Sequence, residues 1–196
     1  ENFYTYPMDF DDEVFLKMFS HHSPFNIVSN FAAHKHVRSE KDIFSIEAMI
    51  DNNVLKAKRF LDFLVKNKPD HFFCVSTDKA ANPVNVMGAS KKLMEDVIMS
   101  YSKDIKISTA RFANVAFSNG SLLAGFIERI NKNQPISCPI DVKRFFVSPE
   151  ESGQICMLSC ILGNSSDIFY PKLKESELVN FKDIVERFFE FINKKI

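Results

Sequence analysis

The chain has 196 residues, 45% of them hydrophobic and 26% charged, the proportions of an ordinary globular protein with enough chain to bury a core. Its 25 basic residues balance 25 acidic ones, so no global field argues for nucleic acid or an anionic membrane as partner. No apolar run reaches bilayer-spanning length, and four cysteines without CxxC spacing read as reduced thiols, which together point to a cytoplasmic protein with no membrane segment. The 21 phenylalanines, beside no tryptophan, read as compositional bias rather than function.

In chain order, Phe25 to Phe31 reads as a strand, as do His71 to Ser76 and Ile105 to Phe112. Between the first two lies an amphipathic helical pattern from about Ile43 to Lys66, with Phe44, Met49, Leu55, Phe60 and Leu64 expected on one side. A second helix is expected from about Val86 to Ser102, with Leu93, Val97 and Ile98 facing inward. Leu122 to Lys132 reads as a helix closed by Asn133-Gln134-Pro135, and Pro149-Glu150-Glu151 opens another that runs to Leu162. Asp167 to Tyr170 is a short strand, and a last helix, Phe181 to Asn193, carries a packing stripe at Phe181, Ile184, Val185, Phe188 and Ile192. Strands alternating with helices imply an α/β fold, a parallel sheet covered by helices.

The most telling stretch is Ser76 to Lys91. It delivers a hydroxyl (Thr77), a carboxylate (Asp78) and an ammonium (Lys79) at the end of an apolar strand, then an Asn82-Pro83 turn and a helix. Loops at the carboxyl ends of strands are where open α/β sheets bind ligands. Adjacent acid and base suit proton transfer; the plainer reading is a solvent-facing ion pair in a turn, worth little. Met87 and Lys91 are four apart and share a helix face. His34-x-His36 has no second ligand pair at suitable spacing, so no metal is expected; His21-His22 reads as a solvated helix end, and Cys156 and Cys160 as buried thiols.

Ser76–Lys91 resembles the active-site segment of extended short-chain dehydrogenases/reductases that act on nucleotide sugars, in particular the polysaccharide-biosynthesis branch with UDP-N-acetylglucosamine 4,6-dehydratases. Three more segments match that branch in order. They are Asn30-Phe31-Ala32-Ala33-His34-Lys35-His36-Val37, Arg111-Phe112-Ala113-Asn114-Val115 with Ser118-Asn119-Gly120-Ser121, and Lys143-Arg144-Phe145-Phe146 before Glu150-Glu151. The resemblance implies a Rossmann-like doubly wound parallel sheet over residues 1–120 and a small, mainly helical substrate-binding part over 121–196. It also implies NAD or NADP as cofactor, a UDP-sugar as substrate and a homo-oligomer.

Two departures from the family pattern stand out. The five glycines form no phosphate-binding GxGxxG loop. The chain is therefore expected to begin near the third strand, Met8-Asp9-Phe10-Asp11, with two strands and a helix upstream, and to be inactive or weakly cofactor-binding by itself. The family tyrosine four residues before the lysine is Met87, as in a subset of the dehydratases.

By resemblance, Lys79 removes the C5 proton of the 4-keto sugar, Asp78 protonates the departing C6 hydroxyl, and Thr77 bonds the sugar near C4. With Met87 and Lys91 these form the catalytic set. Asp9, Phe31, Ala32, Ala33 and Lys91 are assigned to the cofactor, and Lys35, Asn114 and Arg144 to the substrate. Asn53 is expected to bond neighbouring backbone in a structural role. The expected function is a nucleotide-sugar 4,6-dehydratase making a 4-keto-6-deoxy sugar for capsule, lipopolysaccharide or other surface polysaccharide. The alternatives are an epimerase of the same fold and an inactive or partial module that binds a sugar nucleotide.

Overall fold

The computed structural model describes residues 3–35 and 40–193, so His36 and Val37 of the second matching segment lie outside the described residues. The chain divides into two units, Glu1–Arg111 with Cys156–Phe169, and Phe112–Ile155 with Tyr170–Ile196.

The first unit is built on a parallel sheet of β1 (Ile27–Asn30), β2 (His71–Val75), β3 (Ile107–Ala110) and β7 (Asp167–Phe169), in that spatial order. Register is fixed by the pairs Asn30↔Cys74, Val75↔Ala110 and Ala110↔Phe169, so neighbouring strands finish almost level. The crossovers are helical, as parallel pairing requires. They comprise α2 (Ile43–Ile50) running through a π-helical turn, Asp51–Leu55, into α3 (Lys56–Leu64), then α4 (Val86–Ser100) and the later α6 (Pro149–Leu162). Helix α1 (Glu13–His22) precedes β1, with His21 and His22 exposed at its end.

Phenylalanine supplies much of the core. The ring of Phe60 takes the edges or faces of Phe10, Phe15, Phe19, Phe63 and Phe72 at centroid separations of 5.7–6.3 Å. Leu61, Leu64, Met94, Ile98 and Ile107 complete the same buried cluster. The richness in phenylalanine is thus put to structural use.

Three inward-facing expectations are corrected. Phe44 is 74% exposed, Leu55 45% and Leu93 50%, whereas Met49, Phe60, Leu64 and Ile98 are buried. At about 100° per residue, Phe44 falls nearly opposite Met49 on α2, Leu55 nearly opposite Phe60 and Leu64 at the start of α3, and Leu93 nearly opposite Ile98. Apolar residues at unequal spacing had been merged into one stripe. Of the two helical thiols, Cys156 is buried and Cys160 only half-buried.

The second unit holds two small pairings, β4 (Asn114–Val115) parallel to β6 (Phe146–Val147), and β5 (Lys143–Arg144) antiparallel to β8 (Val179–Asn180). Helix α5 (Leu122–Asn131) starts at Ser121, whose hydroxyl accepts from Ala124 N, and stops where Asn133 turns left-handed at φ 51°. Helix α7 (Phe181–Asn193) sets Phe188 against Phe126, and Phe181 stands edge-on to Phe146. Among the described residues no helix is long and apolar enough to cross a membrane.

Behind the sheet, a buried polar chain ties β2, β3 and α6 together. His71 Nε2 lies 2.8 Å from Ser108 Oγ, Ser108 Oγ donates to the Ser159 carbonyl at 2.9 Å, and Ser159 Oγ lies 3.0 Å from Ser108 Oγ. Gly163 closes this corner: a Cβ there would meet the Ser159 carbonyl and stand 2.9 Å from Ser108 Cβ. Burial holds the His71 imidazole below its usual value; the Cys160 carbonyl opposes the shift, and Lys106 adds to it.

Two outcomes follow from this corner. The unfolded chain binds a proton at His71 near pH 6.5 while the folded chain resists it, so stability is full above that value and falls as pH drops below it. Urea midpoints measured between about pH 7.5 and pH 5.5 should decline, and His71→Gln should flatten that part of the slope. Gly163→Ala should cost about 1–3 kcal/mol in the same denaturation, because backbone rather than a flexible side-chain tip must give way.

Candidate functional site

Apart from Asp9, the candidate site residues of the first unit gather at the carboxyl ends of β1 and β2. After Val75 and Ser76 the chain makes one 3₁₀ turn, Asp78–Ala80, capped by Thr77, whose hydroxyl accepts from Lys79 N. The same hydroxyl donates to Asp78 Oδ1 at 3.1 Å, and Lys79 Nζ lies 3.1 Å from that oxygen. Hydroxyl, carboxylate and ammonium therefore form one connected group on a single turn, the carboxylate exposed and the other two half-buried.

Helix α4 begins immediately after. Asn85 caps it by accepting from Gly88 N, and the Glu40 carboxylate accepts from Met87 N at 2.8 Å, a favourable place for negative charge. Gly88 is required by a close approach, since a Cβ there would stand 2.8 Å from the Lys79 carbonyl oxygen. The acid–base turn and the first turn of α4 are thus packed backbone against backbone.

Met87 is buried at the start of α4, and Lys91, one turn on, is only 5% exposed. The Lys91 ammonium donates to the Val75 carbonyl at 2.7 Å and lies 3.4 Å from Met94 Sδ. Burial holds this amine below the usual lysine range, while Cys74 and Glu95 pull in the opposite direction.

Asn53 lies on the π-helical turn and is buried. Its amide nitrogen donates to the His34 carbonyl and to Ser90 Oγ, and its Oδ1 accepts from His34 N. That bonding matches the structural role expected for it. The loop after β1 is thereby tied to α4. In that loop Phe31 and Ala32 are exposed, Ala33 is half-buried and Lys35 is exposed. The Phe31 ring packs 5.6 Å from that of Phe73, and Ala32 N donates to Asn30 Oδ1.

Asp9 stands elsewhere in the unit, its carboxylate engaged by Lys56 of α3, which holds the acid below its usual range. Asn114 and Arg144 belong to the second unit. Asn114 donates to the Phe145 carbonyl, and Arg144, exposed, to the Lys143 carbonyl. An apolar cleft of about 810 Å³ is lined by none of these residues but by aromatic side chains, among them Phe3, Tyr6, Phe15, Phe19 and Phe25.

The sequence reasoning passed over the acid beneath the site. Glu95 is 2% exposed, one turn beyond Lys91 on α4. Its Oε1 accepts from Ser76 Oγ at 2.5 Å and from Arg111 Nε at 2.8 Å, and its Oε2 from Arg111 Nη2 at 2.5 Å. The signal was present: an acid falling on the helix face shared by Met87, Lys91, Met94 and Ile98 is bound to be buried and paired.

The family described as polysaccharide biosynthesis protein matches residues 7–196. The chain is 33% identical over 168 residues to an uncharacterized membrane protein, MJ1061, of Methanocaldococcus jannaschii, covering 82% of this chain and 49% of that one. It is 31% identical over 159 residues to a UDP-glucose 4-epimerase of Rickettsia canadensis, covering 78% and 46% respectively. Among solved structures, the dTDP-glucose 4,6-dehydratase DesIV of Streptomyces venezuelae, with NAD and TYD bound, superposes with a TM-score of 0.75 at 16% identity, over 86% of this chain and 57% of that one. The chain spans about half the length of these curated relatives. With its match along nearly all of its residues, the chain belongs to the family of polysaccharide biosynthesis proteins, and its parallel α/β sheet shares the fold of that dehydratase.

Proposed function

We propose that this chain carries the acid–base half of an NAD(P)-dependent nucleotide-sugar 4,6-dehydratase. It would act on a UDP-N-acetylhexosamine and supply a 4-keto-6-deoxy sugar for surface polysaccharide. The observation that supports this most is the connected Thr77–Asp78–Lys79 group on one turn at the exit of β2, backed by Lys91.

The cofactor residues fit one half of a dinucleotide better than the other. Small residues, Ala32 and Ala33, leave the exit of β1 open beside the turn, and the buried Lys91 ammonium lies at the exit of β2. No glycine-rich turn among the described residues offers backbone amides to a pyrophosphate. NAD(P), held there by Phe31, Ala32, Ala33 and Lys91, would supply the oxidation at C4 and the later reduction at C6.

The chain's own residues handle the protons. Once C4 is a ketone, the C5 hydrogen is acidic. Lys79, in its neutral form, takes that proton; the C6–oxygen bond breaks as Asp78, in its acid form, gives its proton to the departing hydroxyl, which leaves as water. The pair ends as the carboxylate and ammonium seen here at 3.1 Å. In water, moving a proton from an alkylammonium to a carboxylate costs about 9 kcal/mol, so the bound sugar has to displace solvent from this turn before the step. Thr77 holds Asp78 by its hydroxyl and so orients the acid. Met87 exchanges no proton, which leaves Asp78 or water to take that of the C4 hydroxyl.

A second reading, epimerisation at C4, is favoured by the identity to a UDP-glucose 4-epimerase. It would need no acid and base over C5 and C6. The intact protein, given UDP-N-acetylhexosamines and NAD or NADP, should yield a product lighter by one water. Lys79→Met and Asp78→Asn should each lower that yield about 10²–10⁴-fold. An isomer of unchanged mass would establish the epimerase, and no product from any UDP-sugar a binding module.

A further inference from the structure

We propose that Glu95 is a positioning residue for this site: its carboxylate takes the Ser76 hydroxyl and the Arg111 guanidinium together, and so fixes the strand exit from which the Thr77–Asp78–Lys79 turn hangs. The proposal rests on the reading of that turn as the acid–base element.

The geometry carries it. Ser76 is buried, its backbone nitrogen donates to the Ala110 carbonyl, and its side chain donates downward to Glu95. Arg111 follows β3, and its backbone nitrogen donates to the Phe169 carbonyl of β7. One carboxylate on α4 therefore fastens the residue after β2 and the residue after β3, with both of its oxygens engaged. Bidentate guanidinium pairing permits little sliding, which makes the joint rigid rather than merely attractive. Thr77 is the next residue along from Ser76. Any slack at Ser76 passes directly into the turn that holds Asp78 against Lys79.

The same carboxylate lies one turn from Lys91, whose other ionisable neighbour is the Cys74 thiol of β2. Glu95 thus acts in two separable ways, by the hydroxyl it grips and by the charge it places beneath the amine. A residue that only stabilised the fold would do neither selectively.

The test uses the intact protein in three forms: unaltered, Glu95→Gln and Ser76→Ala. Amide exchange is followed over residues 76–80, and Lys91 is titrated through a ¹³C label at Cε, assigned by Lys91→Arg. In Glu95→Gln the exchange should quicken about tenfold and the Lys91 midpoint fall by about half a pH unit or more. In Ser76→Ala the exchange should quicken while the Lys91 midpoint stays, because the carboxylate remains paired with Arg111. A folded Glu95→Gln protein unchanged in both readings overturns the proposal. Should Glu95→Gln fail to fold, Ser76→Ala decides, and unaltered exchange at 76–80 overturns it. Neither reading needs turnover, so the result stands apart from whether the product is a dehydrated sugar.

Discussion

Parallel pairing with level strand ends is the constraint on which the rest of the first unit depends. Because Asn30 pairs with Cys74 and Val75 with Ala110, the chain leaves β1, β2 and β3 at nearly the same height. The loop with Ala32 and Ala33, the turn with Asp78 and Lys79, and Arg111 are each attached within four residues of such an exit. The pairing is held in turn by burial. The Phe60 cluster and Leu61, Leu64, Met94 and Ile98 press one face of the sheet, and burying each such side chain contributes about 1.5–3 kcal/mol.

A second feature works against that stabilisation. Three ionisable side chains, Lys91, Glu95 and Arg111, lie in or beside the buried layer under the sheet, and of these three the last two pair with each other. Breaking such a buried pair by removing one partner costs about 3–5 kcal/mol, whereas its net benefit over apolar packing is small. The Lys91 ammonium donates to a carbonyl oxygen and lies against a thioether, and burial outweighs the opposing pull of Cys74 and Glu95 on its protonation. Under the proposed function, charge kept at such expense beneath the Asp78–Lys79 turn would serve the chemistry there more than the fold.

Much of the architecture was readable in the sequence. His71 to Val75 and Ile107 to Ala110 are short, apolar or β-branched and bounded by breakers; α4, α6 and α7 carry clear starts in Asn85, Pro149 and the Phe181 stripe. The turn and its three functional groups were readable too, because they are consecutive. What was hidden depends on distance along the chain. Asn53 meets His34 and Ser90 across 19 and 37 residues, and Glu95 meets Ser76 and Arg111 across 19 and 16. Helical phase was misjudged wherever large apolar residues were counted without their angle, as at Phe44 and Leu93. The pairing of Asp9 with Lys56 lay beyond sequence reasoning for another reason. A paired and an unpaired Asp are identical letters, and only the fold brings that lysine to it.

The π-helical turn at Asp51–Leu55 amounts to one residue more than a regular α-helix would spend there. That surplus separates two rotational settings: α2 buries Met49, and α3, past the bulge, buries Ala57, Phe60, Leu61 and Leu64. Removing a single residue there would close the bulge into regular helix, and Asn53, which the bulge carries, would lose its place against the His34 backbone. Length at this point is therefore as strictly held as identity. Homologous chains that differ in their loops by many residues should still agree, to the residue, on the spacing between Met49 and Phe60.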